Sequence, residues 1–215
     1  MAGTAADAVF ILGDLFEAWV GDDAAGVPGF ELECAEVLAR AAAQRPVFFL
    51  AGNRDFLVGE ALAQATRMTL LRDPTVFTFG TQRWLLSHGD ALCLADTEYL
   101  AFRAQVRSPA WQQAFLAQPL AKRQEIARGM RAESEQLKRT GREYADVDTA
   151  AALEWLHAAD APVLVHGHTH KPADHALDDA HRRIVLSDWD AGAVPPRLQA
   201  LRLHADGRAE RIPLA

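Results

Sequence analysis

Three observations predict an α/β fold. Short β-branched and aromatic runs each stop at a polar cluster containing glycine, helical periodicity fills the gap between the first two, and a long helical stretch precedes the fourth. The runs are Val9-Phe10-Ile11-Leu12 before Gly13-Asp14, and Val47-Phe48-Phe49-Leu50 before Gly52-Asn53-Arg54-Asp55. Trp84-Leu85-Leu86 precedes His88-Gly89-Asp90, and Val163-Leu164-Val165 precedes Gly167-His168-Thr169-His170. Apolar runs of this length, bounded by glycine and polar residues, read as buried strands.

Along the chain, residues 9–12 form the first strand. Residues 30–43 place Leu32, Ala35, Leu38, Ala39 and Ala42 at helical spacing, which makes a strand–helix–strand unit with residues 47–50. Residues 60–66 read as a short helix, and residues 75–86 as a hairpin turning at Gly80-Thr81. Residues 98–160 are helical in pattern throughout, punctuated by Pro109 and Pro119. Ile184-Val185-Leu186 before Ser187-Asp188-Trp189 repeats the strand form, and residues 198–212 suggest two closing strands around Ala205-Asp206-Gly207.

A chain of 215 residues suffices for one substantial domain with an insert and is too short for two large ones. Two cysteines in unrelated contexts, Cys34 and Cys93, exclude a disulfide framework and a cysteine-rich zinc module, and they fit a reducing cytoplasm. No segment has the form of a signal peptide, and no apolar stretch approaches the roughly 20 residues that cross a bilayer. A soluble, cytoplasmic protein is expected. The net charge of -7 argues against general nucleic-acid binding, but it is uneven: residues 103–143 carry nine Lys/Arg against four Glu, so that segment is +5 and the rest -12. Such an insert either faces an anion or is a solvated helical face.

The strong polar clusters all follow strands, and in open α/β sheets ligands bind beyond the carboxyl ends of strands. Asp14, Asn53, His88, His168 and His170 offer carboxylate, amide and imidazole donors, a mixed set that suits Mn, Fe or Zn. Taken singly, a Gly-Asp or Gly-Asn-Arg after a strand is usually a turn, and a lone histidine usually a satisfied one. Four such clusters, each at a strand end, are far less readily coincidental.

These motifs resemble four of the five that mark the calcineurin-like metallophosphoesterases. The flanks are more specific. Ile11-Leu12-Gly13-Asp14-Leu15-Phe16-Glu17-Ala18-Trp19, Asn53-Arg54-Asp55-Phe56-Leu57, His88-Gly89-Asp90-Ala91-Leu92-Cys93, Tyr99-Leu100-Ala101-Phe102-Arg103 and Met130-Arg131-Ala132-Glu133-Ser134 are similar to the UDP-2,3-diacylglucosamine diphosphatases of lipid A biosynthesis. The resemblance implies a β-sandwich flanked by helices, with a helical cap insert at about 98–160. It also implies hydrolysis of the pyrophosphate of UDP-2,3-diacylglucosamine to UMP and the diacylated sugar 1-phosphate, with Mn2+, on the cytoplasmic face of the inner membrane. In that family Asp14 would bridge two metals, Asn53, His88 and His168 would complete one, and His170 would belong to the other. Asn53, Arg54, Asp96, Ser134 and His168 would meet the substrate, with Lys138 as the best match for a basic insert position and Arg139 and Arg142 as candidates for a second. The nucleophile would be a metal-bound water, with no separate protein nucleophile. The physics is compatible, because two metals about 3.5–4 Å apart clamp both oxygens of an in-line displacement.

The insert's apolar residues Trp111, Phe115, Leu116, Leu120, Ile126 and Met130 serve either as its own core or as a groove for acyl chains. The family's first motif, an Asp-x-His, has no counterpart here, since too few residues precede Asp14 for a strand–helix–strand unit of roughly 30 residues. The expectation is an N-terminally truncated chain, with one metal site complete and the other keeping Asp14 and His170. Competing readings are another metallophosphoesterase acting on nucleotides or phosphodiesters, and a non-catalytic metal-binding remnant.

Overall fold

The computed structural model describes residues 5–139 and 145–214, and the chain forms two compact units. In chain order the elements are β1 (Val9–Ile11), α1 (Phe30–Ala42), β2 (Val47–Leu50), α2 (Glu60–Thr66), β3 (Thr69–Leu71), β4 (Thr75–Phe79), β5 (Gln82–Ser87), α3 (Thr97–Val106) and α4 (Pro109–Leu116). They continue with α5 (Leu120–Arg139), α6 (Thr149–Ala159), β6 (Val163–His166), β7 (Asp174–Ala176), β8 (Arg182–Val185), β9 (Gln199–Leu203) and β10 (Ala209–Pro213). The first unit contains β1 to β3 and α1 to α5; the second contains β4 to β10 and α6.

In the first unit β1, β2 and β3 form a parallel sheet in that order, with Val9 opposite Val47 and Phe48 opposite Thr69. The Phe10 and Phe48 rings stack across the first pair at 4.7 Å, the cross-strand contact that favours aromatic residues in strands. Helix α1 buries Ala35 and Leu38 of the predicted stripe, together with Ala41, against Val47, Phe49 and Leu62, while Leu32, Ala39 and Ala42 are half-buried. The start of α2 is capped from a distance: the Asp22 carboxylate accepts from Gly59 N at 3.0 Å and Leu62 N at 2.9 Å.

Three insert helices belong to the same unit, and α4 and α5 close over its core. Ser108 caps α4 by accepting from Trp111 N at 3.3 Å, and Pro109 occupies the first turn, where no N–H is needed. Phe115 is buried, with Trp111, Leu120 and Ile126 packed beside it, whereas Leu116 and Met130 stay exposed. Core packing therefore accounts for four of the six apolar insert residues. Arg123, 3 % exposed, is held by the Asp23 carboxylate and by the carbonyls of Val20 and Gln118. Arg107, at the C-terminal end of α3, donates to Gly52 O at 3.0 Å, so that end of α3 touches the loop that leaves β2.

The second unit has a five-stranded sheet in the order β4-β5-β6-β8-β7 and a separate β9-β10 hairpin. β5, β6 and β8 run parallel, and β5 and β6 are buried on both faces, as continuous apolar runs predict. The β4–β5 hairpin turns at Gly80, whose φ of +61° a side chain rarely adopts. Helix α6 buries Ala152 and Leu156 against Leu85, Leu92 and Leu164. The predicted helical stretch 98–160 is thus divided: α3 to α5 belong to the first unit, with α4 and α5 packed on its core, and α6 packs on the second, because their apolar faces meet different sheets.

Candidate metal centre

In the first unit, β1 and β2 are parallel neighbours, so the loops that follow them share one edge of the sheet. Asp14 follows β1 at φ 53°, a left-handed conformation that costs a non-glycine residue free energy. Its carboxylate accepts from Arg54 N at 3.0 Å and pairs with Arg54 Nε at 3.3 Å. Asp55, with no exposure at all, accepts from Leu15 N and Gly52 N, both at 2.7 Å, and so ties the two loops together. Charge-assisted bonds of this kind are about twice as strong as neutral ones. Arg54 also meets Glu17 at 2.9 Å, and the other Glu17 oxygen meets Arg131 of α5 at 2.8 Å.

In the second unit, His88 follows β5 and is 1 % exposed. Its carbonyl accepts from Gly167 N at 3.0 Å, which fixes the loop after β6 beside it. The His88 and His168 rings lie 5.1 Å apart, edge to face. His168 and His170 both have left-handed backbone, at φ 65° and 54°. Three of the five described non-glycine residues at positive φ are therefore predicted ligands, and such strain clusters at functional sites. His170 Nδ1 lies 4.0 Å from Asp188, which Arg197 holds at 2.8 Å. The hydrogen bonds and charge of Arg197 keep the Asp188 carboxyl below the ordinary carboxylate range, against the opposing effect of burial.

Behind these loops sits a buried polar chain. Burial pushes His166 down to about 4, so its ring is neutral near pH 7. Gly167 O, 2.9 Å from His166 Nδ1, can only accept, which places the proton there and leaves Nε2 to accept from Arg183 at 3.3 Å. Arg183 in turn pairs with Asp146 at 2.9 Å. Burial opposes the charge of Asp146, but the bonds from Arg183 and Val147 N and the charges of Arg183 and Lys171 together outweigh it and leave the carboxyl below its usual value.

Gly89, at φ +104°, faces this chain, and an added Cβ would lie 2.8 Å from His166 Nδ1. Gly89→Ala is expected to destabilise the protein by about 2 kcal/mol through strain and overpacking. Urea unfolding measures it, and a change under about 0.5 kcal/mol would contradict the close approach.

Of the remaining predicted residues, Asp96 accepts from Tyr99 N at 3.2 Å as the cap of α3, and Ser134 is half-buried on α5. The side chains of Lys138 and Arg139, and Arg142 altogether, lie outside the described residues. The sequence reading gave no role to Asp55, Glu17, Asp188 or Arg183. Asp55 and Glu17 lie within quoted motifs and Asp188 follows the fifth apolar run, so position alone marked these three. The donor types, a carboxylate and an amide in the first unit and imidazoles in the second, are ones that a borderline divalent cation takes.

Residues 2–172 match the calcineurin-like phosphoesterase family model, a span that includes every predicted ligand. A UDP-2,3-diacylglucosamine hydrolase of Chromobacterium violaceum is 50% identical over 187 residues, covering 86% of this chain and 78% of that protein. One of the same name from Aromatoleum aromaticum is 45% identical over 210 residues, covering 92% and 84%, and one from Xanthomonas oryzae pv. oryzae is 45% identical over 215 residues, covering 94% and 83%.

Proposed function

The chain belongs to the calcineurin-like phosphoesterases, and from that premise we propose that it hydrolyses the pyrophosphate bond of UDP-2,3-diacylglucosamine to UMP and 2,3-diacylglucosamine 1-phosphate. The observation that carries this reading is the 50% identity, over most of both chains, to a relative of that name. The cation is Mn2+, with Asp14, Asn53, His88 and His168 as one ligand set and Asp14 with His170 contributing to a second. When bound, such ions polarise the phosphoryl group and acidify a water toward neutral pH. The protein's own part is to hold the ligands and orient the phosphates. Arg54 supplies a planar fork for phosphate oxygens, and its side chain is already anchored between Asp14 and Glu17. His168, Asn53, Asp96, Ser134 and Lys138 are the further substrate contacts.

A groove of about 340 Å³ in the first unit has an apolar lining of Phe16, Val20, Phe30 and Ala127, with Glu17, Glu31, Arg128 and Arg131 putting charges of both signs on its wall. The apolar part of that lining suits an acyl chain. No helix among the described residues is long and apolar enough to cross a membrane. The basic insert, with exposed Phe102, Leu116 and Met130, supports a peripheral contact with the inner membrane instead.

UMP release from UDP-2,3-diacylglucosamine is expected to stop with a chelator and return with Mn2+. Turnover that survives complete removal of metal would overturn the metal-dependent reading. Faster hydrolysis of a water-soluble nucleotide diester would overturn the substrate.

A further inference from the structure

A second group of ligand-type side chains lies wholly within the second unit, away from the family motifs in sequence. His157 is in the last turn of α6, and Asp178 and His181 are in the turn between β7 and β8. The His157 and His181 rings meet edge to face with centroids 4.6 Å apart. One nitrogen from each ring and one Asp178 oxygen all lie within 4.8 Å of one another.

Both elements are held in place. Arg83 caps the end of α6, donating to Asp160 O at 2.8 Å and Ala159 O at 2.7 Å. The turn is closed by Leu177 N donating to His181 O at 2.9 Å. Asp178 Oδ1 accepts from Ala180 N at 2.8 Å and His181 N at 2.7 Å, and it also lies 2.9 Å from His181 Nδ1. These bonds explain Asp178 as a turn former, since its carboxylate organises its own loop. They do not explain His157, which comes from a different element and reaches the same point in space. Turn formation through Oδ1 leaves Oδ2, 3.0 Å from His181 Nδ1, as the oxygen for a ligand.

We propose that His157, Asp178 and His181 form a surface site for a borderline divalent cation, Zn2+ by its donor set. Two neutral imidazoles and one carboxylate select zinc, nickel or copper over magnesium or calcium. Zinc bonds of about 2.0–2.2 Å place neighbouring tetrahedral ligands about 3.3 Å apart. Reaching that spacing from within 4.8 Å takes side-chain rotation at exposed His157 and Asp178 and at half-buried His181, and water fills the fourth position. The site cross-links the end of α6 to the hairpin that carries β7, the short edge strand of the sheet. It does not depend on the proposed substrate or on the family's metal ligands.

The test is zinc titration of the metal-stripped full chain, beside His157→Ala and His181→Ala. Because the motif histidines also take zinc, the readout is the difference between proteins. Each variant should lose one tightly bound equivalent relative to the parent while keeping its circular dichroism spectrum, and zinc should raise its melting temperature less. Equal stoichiometry in all three proteins would overturn the proposal. If a variant does not fold, the ring resonances of His157 and His181 in the parent decide: they must shift on zinc addition, and unchanged signals refute the site.

Discussion

Alanine at Asn53 or at His88 is expected to lower metal-dependent hydrolysis at least a hundredfold, or about 2.7 kcal/mol of transition-state stabilisation. Each substitution removes one of the four proposed protein donors of a single cation. His88 is 1 % exposed, and its position is set by the pairing of β5 with β6 and by the Gly167 N bond to its carbonyl. Neighbouring side chains therefore have little freedom to move in and replace the lost imidazole. Bound metal and turnover at saturating Mn2+ should fall together. Losses below tenfold would remove both residues from the ligand set.

Asp55→Ala should be the most damaging substitution for stability. It deletes a fully buried carboxylate and leaves the N–H groups of Leu15 and Gly52 without that acceptor. A charge-assisted bond contributes about 1.5–3 kcal/mol, and an orphaned buried donor carries its own desolvation cost, so a loss of about 3–5 kcal/mol is expected. Asp55→Asn keeps the shape but only one acceptor oxygen, and should fall between. Urea unfolding of the three proteins measures the series. A loss under about 1 kcal/mol for alanine would mean that the loops after β1 and β2 are held by something else.

Much of this architecture was legible because strands buried on both faces must be apolar throughout and must stop where the chain turns. Val47-Phe48-Phe49-Leu50 and Val163-Leu164-Val165 announced β2 and β6, and Gly80-Thr81 announced the hairpin turn. β3 and β7 were not legible. Each has only three residues, and β7 is Asp-His-Ala, so its strand form comes from pairing with β8 rather than from any pattern of its own. The division of the helices between two cores was equally hidden, since periodicity shows that a helix has an apolar face but not which sheet receives it. Asp55 and Arg183 are charged residues in the interior. Their partners are 40 and 37 residues away in sequence, at Leu15 and Asp146, a distance no local window spans. The ligand motifs were readable because metal chemistry restricts residue type, whereas the supporting bonds can be supplied by many.

The left-handed backbone at Asp14, His168 and His170 changes what a substitution there reports. Alanine at these positions subtracts a donor while keeping the conformational strain, of order 1 kcal/mol, that any side chain carries there, so its effect on folding is a compound quantity. Glycine subtracts the same donor while relaxing the backbone, and asparagine tolerates the conformation while offering an amide. The difference between the alanine and glycine variants therefore isolates geometry from chemistry at each position. At His88, which is not among the described non-glycine residues with positive φ, that subtraction has no comparable term.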